Sequence, residues 1–84
     1  MDVFFTEQAA EELDFWRKKN PKLAERIAEL VRAIKLDPYE GIGKPEPLKY
    51  ALAGLWSRRI NREHRLVYQI KDGNLIVIQC RYHY

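Results

Sequence analysis

The sequence predicts an α+β domain in which two N-terminal helices pack on one face of a small, mainly antiparallel sheet. A short apolar run opens the chain, two segments with helical spacing of apolar residues follow, and the second half alternates apolar and polar residues between turn signals. Two consecutive helices do not cover both faces of a sheet as βαβ crossovers do. The predicted order is therefore β-α-α-β-β-β-β, with one sheet face free, in a single domain spanning residues 1–84.

The first strand and both helices have local signals. Val3-Phe4-Phe5 is short and apolar, and Thr6 then supplies an N-cap for a helix that runs to about Lys19. Asn20-Pro21 caps and begins the second helix, because proline is favoured at the first helical position. That helix is predicted to end before Asp37-Pro38. Its apolar stripe consists of Leu23, Ile27, Leu30, Val31 and Ile34.

The second half of the chain predicts a loop and then four strands. Residues 39–47 hold two glycines and two prolines, which indicate a loop without regular pairing. The strand candidates are 48–52, 55–61, 65–70 and 75–82, with a hairpin turn at 71–74. A two-residue turn would place Arg65 opposite Cys80 and point His83 to the other face. Either a bulge intervenes, or the strand ends early and the tail curls back, and the sequence leaves both open.

Charge is distributed unevenly along the chain. Residues 1–43 hold seven Lys/Arg against nine Asp/Glu, whereas residues 44–84 hold eight against three. A basic half is typical of a surface that faces a polyanion, although a solvated basic face without a ligand fits the charge equally well. No apolar run is long enough for a membrane span and no signal-peptide pattern opens the chain, so we expect a cytoplasmic protein without membrane contact. The single cysteine, Cys80, agrees with a reducing compartment.

Glu46 is a carboxylate on an unusually stiff segment. Pro45 and Pro47 flank it, and a residue before proline is restricted to extended conformations. Rigid presentation suits a general base, although a carboxylate in a polar loop is more often simply solvated. Lys44 and Lys49 are close enough in sequence to favour a phosphate beside it.

Four arginines lie in or between two adjacent predicted strands. They are Arg58, Arg59, Arg62 and Arg65. Period-two alternation places some of them on the free face and some elsewhere. Guanidinium groups match phosphate oxygens, and the only acids in this stretch are Glu63 and Asp72, so anion binding is favoured over salt bridges along the strands. Arg65, between His64 and an apolar strand, is the member whose surroundings fix it best.

The histidines give less decisive signals. His83, in Tyr82-His83-Tyr84, is a candidate acid or base, although a terminal histidine without a role fits as well. His64 lies in the polar turn 61–64, which favours a structural role. Cys80 and His83 are three residues apart, but with one distant histidine they lack the four ligands of a structural zinc site, so we expect no metal.

Four blocks of this chain resemble one known family. They are Gly43-Lys44-Pro45-Glu46-Pro47-Leu48-Lys49, Trp56-Ser57-Arg58-Arg59-Ile60, Glu63-His64-Arg65-Leu66-Val67-Tyr68 and Cys80-Arg81-Tyr82-His83-Tyr84. In these blocks the chain resembles the YoeB family of toxins, within the wider RelE-like group of ribosome-dependent mRNA endonucleases. The likeness runs the whole length and implies a RelE-like fold.

The resemblance implies a type II toxin that cuts mRNA in the ribosomal A site without metal or cofactor. Glu46 would be the base for a 2′-hydroxyl, His83 the acid for the leaving oxygen, and Arg65 the main stabiliser of the charged transition state. Tyr84 would orient the substrate or His83. The implied RNA- and phosphate-binding residues are Lys44, Lys49, Arg58, Arg59 and Arg81. The product would carry a 2′,3′-cyclic phosphate.

The resemblance also implies partners. They are mRNA, the 70S ribosome, a Phd/YefM-type antitoxin and a second copy in a homodimer. The alternative is a non-catalytic module of the RelE/ParE fold that acts on DNA gyrase or on the ribosome.

Overall fold

A computed structural model describes residues 1–82 and contains two helices and five strands among them. Strand β1 is Val3–Phe5, helices α1 and α2 are Glu7–Lys19 and Pro21–Leu36, and strands β2 to β5 are Glu46–Pro47, Trp56–Arg59, Arg65–Lys71 and Asn74–Gln79. The sheet order is β1-β5-β4-β3-β2, with β1 parallel to β5 and the other neighbours antiparallel. The predicted fold class and order of elements are confirmed. Neither helix is long and apolar enough to span a membrane.

Thr6 connects the start of α1 to the sheet. Its Oγ1 accepts a hydrogen bond from the Ala9 amide at 3.1 Å, as predicted for an N-cap. The same hydroxyl donates to the Ile78 carbonyl at 2.9 Å, and the Thr6 amide donates to the Val77 carbonyl at 3.0 Å. The first turn of α1 is therefore fixed to β5.

The two helices pack on one face of the sheet, and their apolar stripes form the core with it. Ala9, Trp16, Ile27, Leu30 and Ile34 of the helices join Leu66, Tyr68, Leu75 and Val77 of β4 and β5 in one buried cluster. Because side chains alternate along a strand, the register places a second set of residues on the opposite side. This helix-free face carries Glu46, Ser57, Arg59, Arg65, Val67 and Gln79.

The predicted strand at 48–52 is wrong, and the loop before it contains pairing that the sequence did not predict. Glu46–Pro47 pairs with β3, whereas Tyr50–Leu52 forms a 3-10 turn. Tyr50 has φ of +57°, a left-handed conformation that does not fit a strand. Leu48, two residues before Tyr50, donates its backbone amide to the Leu55 carbonyl at 2.9 Å, as a residue in an antiparallel strand pair would.

Of the two alternatives that the sequence left open, the hairpin of β4 and β5 contains the bulge. Asp72 and Gly73 have φ of +53° and +77°, as a two-residue turn of the primed type requires. The register then shifts between Tyr68 and Val67, because an extra residue bulges from β5. The strand also ends at Gln79, earlier than predicted, and the chain continues beside the start of β4, where the Arg65 amide donates to the Tyr82 carbonyl.

Candidate active site on the helix-free face

Glu46 and two arginines lie on the same face of three adjacent strands. Glu46 of β2 pairs with Ser57 of β3, and Arg59 of β3 pairs with Arg65 of β4. Since Ser57 and Arg59 are two residues apart, all these side chains share the helix-free face. Neighbouring strands lie about 4.8 Å apart, and residues along a strand rise about 3.3 Å each. Arg65 is therefore two strands across the sheet from Glu46 and displaced by two residues along the strand direction. A phosphodiester group fits a gap of this size.

Arg59 and Arg65 form a like-charged cross-strand pair. The ion pairs that lysines and arginines form in residues 1–82 are Lys18–Asp14 and Arg26–Glu29, so no carboxylate of the described chain neutralises Arg59 or Arg65. Like charges opposite each other on a sheet repel. Nη1 of Arg65 is also buried and has no hydrogen-bond partner within the described residues. An anion bound between the two guanidinium groups would remove this repulsion.

The lysines predicted to bind phosphate lie along the segment around Glu46. Lys44 and Lys49 are both exposed, and Lys44 has φ of +50° in the turn that precedes β2. A shallow cavity of about 300 Å³ adjoins this segment and is lined by Glu46, Pro47, Leu48, Lys49, Tyr50 and Leu52. Tyr50 is 94% exposed there and offers an aromatic ring to solvent. Phosphate binding by the two lysines stays a prediction.

The structure contradicts a phosphate contact by Arg58. Arg58 pairs with Leu66, so it lies on the helix side of the sheet, and its side chain is 0% exposed. Its Nε donates to Tyr68 Oη at 3.2 Å. Its two terminal nitrogens donate to the carbonyls of Asp37, Glu40 and Ile42. Every nitrogen of the guanidinium is already engaged, and no surface remains for an anion.

Arg58 instead fixes the chain between α2 and β2. Tyr68 Oη, which accepts from Arg58, donates in turn to the Pro38 carbonyl. Burial raises the pKa of Tyr68, and the hydrogen bond from Arg58 opposes part of that rise. The next residue along β3, Arg59, donates its amide to the Gly43 carbonyl at 2.6 Å. The segment that leads to Glu46 is therefore attached to β3 at several points.

Arg81 lies against α1. Its guanidinium carbon is 3.7 Å from the ring centroid of Phe15, 4.6 Å from that of Tyr82 and 5.9 Å from that of Trp16. Nε of Arg81 is buried without a hydrogen-bond partner in residues 1–82. Stacking of this kind orders the side chain. The structure thus places Arg81 beside the helix and not beside Arg65, and RNA binding by Arg81 stays a prediction.

Residues 80–82 are anchored on both sides before the chain reaches His83 and Tyr84, which lie outside the described residues. The Cys80 amide donates to Glu12 Oε1 at 2.8 Å, and the Cys80 carbonyl accepts from Trp16 Nε1 at 2.9 Å. Burial raises the pKa of Cys80 to about 12, so its thiol is neither a ready nucleophile nor a metal ligand. No cluster of three potential metal ligands occurs in the described part of the chain.

Sequence reasoning missed the contact made by His64. This residue is buried, and its Nδ1 accepts a hydrogen bond from the Tyr82 amide at 2.7 Å. The Asn61 side chain supports the turn by accepting from the amides of Glu63 and His64. An Asn three residues before a His signals the turn, but nothing local signals the contact with Tyr82, because that contact depends on the bulge in β5.

Known proteins resemble this chain along its whole length. Residues 5–84 match the family model described as YoeB-like toxin of bacterial type II toxin-antitoxin system. A Toxin YoeB from Synechocystis is 52% identical over 84 residues, which cover 100% of this chain and 98% of that protein. Solved structures of a YoeB-YefM complex and of a YoeB dimer, both from Staphylococcus aureus, are 44% and 42% identical with TM-scores of 0.92 and 0.93. Each match covers 100% of this chain and 98% of the other.

Proposed function

Because this chain belongs to the YoeB-like toxins of bacterial type II toxin-antitoxin systems, we propose that it is a ribosome-dependent endoribonuclease that cuts mRNA in the ribosomal A site. The observation that carries the proposal is the arrangement of Glu46, Arg59 and Arg65 on one sheet face. This carboxylate lies on the same sheet face as two arginines that lack an acidic partner in the described chain. The arrangement combines a proton acceptor with a site for phosphate.

The proposed reaction is an internal transesterification of RNA. Glu46 takes the proton of a ribose 2′-hydroxyl, and the 2′-oxygen attacks the adjacent phosphorus. The bond from phosphorus to the 5′-oxygen breaks, and His83 gives that oxygen a proton. The products are a 2′,3′-cyclic phosphate and a 5′-hydroxyl, so atoms balance without a cofactor.

The remaining residues support this step. Arg65, which is partly buried, stabilises the charge that develops on the phosphoryl oxygens, because a preorganised cation at the site acts more strongly than one in water. Tyr84 orients the substrate or His83. Lys44, Lys49, Arg59 and Arg81 hold neighbouring phosphates by charge. Arg58 has no part in this set, since the loop carbonyls already occupy it.

The proposed partners follow from the substrate and from the relatives. mRNA on the 70S ribosome places the protein in the cytoplasm. A YoeB-YefM complex and a YoeB dimer are known for relatives, and we extend both assemblies to this chain as an antitoxin complex and a homodimer. Residues 44–84 hold eight Lys/Arg against three Asp/Glu, which suits an acidic, initially disordered antitoxin segment that folds over this surface.

The test is cleavage of a defined mRNA on programmed ribosomes, mapped by primer extension. Wild-type protein should cut at a single position in the A site, and Glu46→Gln, which keeps size but cannot accept the proton, should be slower by about 10²- to 10⁴-fold. The same mRNA without ribosomes should be cut poorly, because the ribosome orients the flexible RNA. Rapid single-site cutting of naked mRNA would contradict ribosome dependence, and no cutting under either condition would favour a non-catalytic binding module.

A second experiment isolates the acid step. His83→Gln keeps polarity but delivers no proton, so we expect cleavage to slow by about 10²- to 10⁴-fold. An mRNA whose bridging 5′-oxygen is replaced by sulfur has a leaving group that departs without protonation. It should restore nearly wild-type speed to the variant. Equal slowing on both substrates would show that His83 is not the acid.

A further inference from the structure

His64 is held rigidly in the turn between β3 and β4. Its side chain is 6% exposed, and its ring meets the ring of Trp16 edge to face at a centroid distance of 4.7 Å. The ring of Tyr82 lies 5.6 Å away on another side. The His64 amide donates to Asn61 Oδ1 at 2.8 Å, which fixes the backbone of the turn. A buried imidazole in such a setting has one orientation.

The hydrogen bond from Tyr82 also fixes the tautomer of His64. A backbone amide is always a donor, so Nδ1 of His64, 2.7 Å from the Tyr82 nitrogen, must carry a lone pair. The ring proton of neutral His64 therefore sits on Nε2, which lies 3.7 Å from the Glu63 carboxylate. The contact with the Tyr82 amide requires only a hydrogen-bond acceptor at the position of Nδ1.

Two consecutive residues of this turn hold both backbone groups of Tyr82. His64 accepts from its amide, and the Arg65 amide donates to its carbonyl at 3.1 Å. Tyr82 has φ of +62°, a left-handed conformation that an aromatic residue keeps only where its surroundings impose it. The paired hydrogen bonds supply that constraint one peptide bond before His83.

We propose that His64 is a positioning residue for the general acid: its Nδ1 imposes the turn at Tyr82, and acid catalysis by His83, the next residue in the chain, depends on that turn. The inference rests on the proposed function, in which His83 supplies the proton. It also couples two parts of the chemistry, because the turn that holds Tyr82 through His64 continues directly into Arg65. Arg65, which is proposed to stabilise the transition state, is thus hydrogen-bonded through its amide to the residue that precedes the acid.

The test compares substitutions that keep or remove the acceptor. In His64→Asn the side-chain oxygen takes the place of Nδ1, whereas His64→Leu keeps bulk without an acceptor. His64→Gln, whose amide reaches beyond the Nδ1 position, replaces the leucine variant if that variant does not fold. Single-turnover cleavage is measured on programmed ribosomes with ordinary mRNA and with mRNA carrying the bridging 5′-sulfur.

We expect His64→Leu to cut ordinary mRNA about 10- to 100-fold more slowly, since a misplaced catalytic group loses about that much. It should cut the sulfur substrate at nearly wild-type speed, because that substrate needs no acid. His64→Asn should stay within about threefold of wild type on both substrates. Equal slowing of both substrates by His64→Leu would overturn the proposal, because loss of folded structure affects them alike.

Hydrogen exchange of the Tyr82 amide provides a readout that does not depend on activity. Protection of this amide should fall at least tenfold in His64→Leu and persist in His64→Asn. Persistent protection in His64→Leu would overturn the proposal. If wild-type protein cuts neither mRNA, the proposed function fails, and so does the role of His64 in acid catalysis. The exchange data still decide whether His64 holds Tyr82.

Discussion

Replacing the buried Arg58 tests whether the two adjacent arginines of β3 have different roles, Arg58 in stability and Arg59 in RNA cleavage. Arg58→Met keeps an unbranched chain of similar length but removes every donor. Three loop carbonyls, those of Asp37, Glu40 and Ile42, then lose their partners, and Tyr68 loses its donor as well. No carboxylate in residues 1–82 pairs with Arg58, so these dipoles alone balance its charge.

The expected loss follows from these contacts. A partly buried carbonyl left without a donor costs about 1–1.5 kcal/mol, so three of them cost about 3–5 kcal/mol. A domain of this length has a free energy of unfolding of about 4–13 kcal/mol, so the loss is a large share of the total. At about 4–8 °C per kcal/mol, the melting temperature should fall by about 12–40 °C.

The assay is urea unfolding followed by tryptophan fluorescence and circular dichroism. Arg59→Met is the matched control, because Arg59 is exposed on the opposite face of the same strand and should change stability by no more than about 0.5 kcal/mol. Arg59→Met should instead weaken ribosome-dependent cleavage. A loss below about 1 kcal/mol in Arg58→Met, or equal losses in the two variants, would refute the carbonyl-bonding role of Arg58.

Three further predictions concern the loop, the tail and the reaction. Gly43→Ala, at φ of +82°, places a Cβ 2.8 Å from Leu30 Cδ2. In urea unfolding it should lower the free energy of unfolding by about 2–3 kcal/mol more than the control Gly54→Ala, whose Cβ meets nothing within 4 Å. Equal losses in the two variants would show that Leu30 gives way. Burial raises the pKa of Cys80 from 9.0 to about 12, so its contribution to stability is complete below pH 9 and declines as pH rises through 12. Unfolding at pH 8 and pH 10 should therefore show a smaller decline in Cys80→Ala than in wild type, and an identical decline would contradict the assignment. Arg65→Ala should lose about 10²- to 10³-fold in single-turnover rate while still binding ribosomes; lost binding with an intact rate at saturation would make Arg65 a positioning contact.

The helices were predictable because their signals are local. Thr6 caps α1, and Asn20-Pro21 separates the two helices at the predicted position. An N-cap and an apolar stripe act within a few residues, so no knowledge of the rest of the fold is needed. The hairpin turn at Asp72-Gly73 was predictable for the same reason.

The roles of the arginines were only half predictable. Alternation requires that Arg58 and Arg59 face opposite sides, but the sequence does not say which side each takes. The pairing of Arg58 with Leu66 and the loop carbonyls decide it, and both depend on distant parts of the chain. The contact between His64 and Tyr82 likewise could not be predicted from local sequence, because a one-residue bulge in β5 sets the position of Tyr82.

The place of β5 in the sheet has a consequence for the order in which the protein folds during synthesis. β1 pairs in parallel with β5, its only strand partner in residues 1–82, and Thr6 meets Ile78 across a separation of 72 residues. β5 also lies between β1 and β4, so the sheet stays incomplete until residue 79 has left the ribosome. Contacts this distant form late and slowly, and the nascent chain has no finished core before then. A ribosome that synthesises this toxin therefore carries a chain with an incomplete core, and the sheet on which the proposed activity depends is finished only after β5 has emerged.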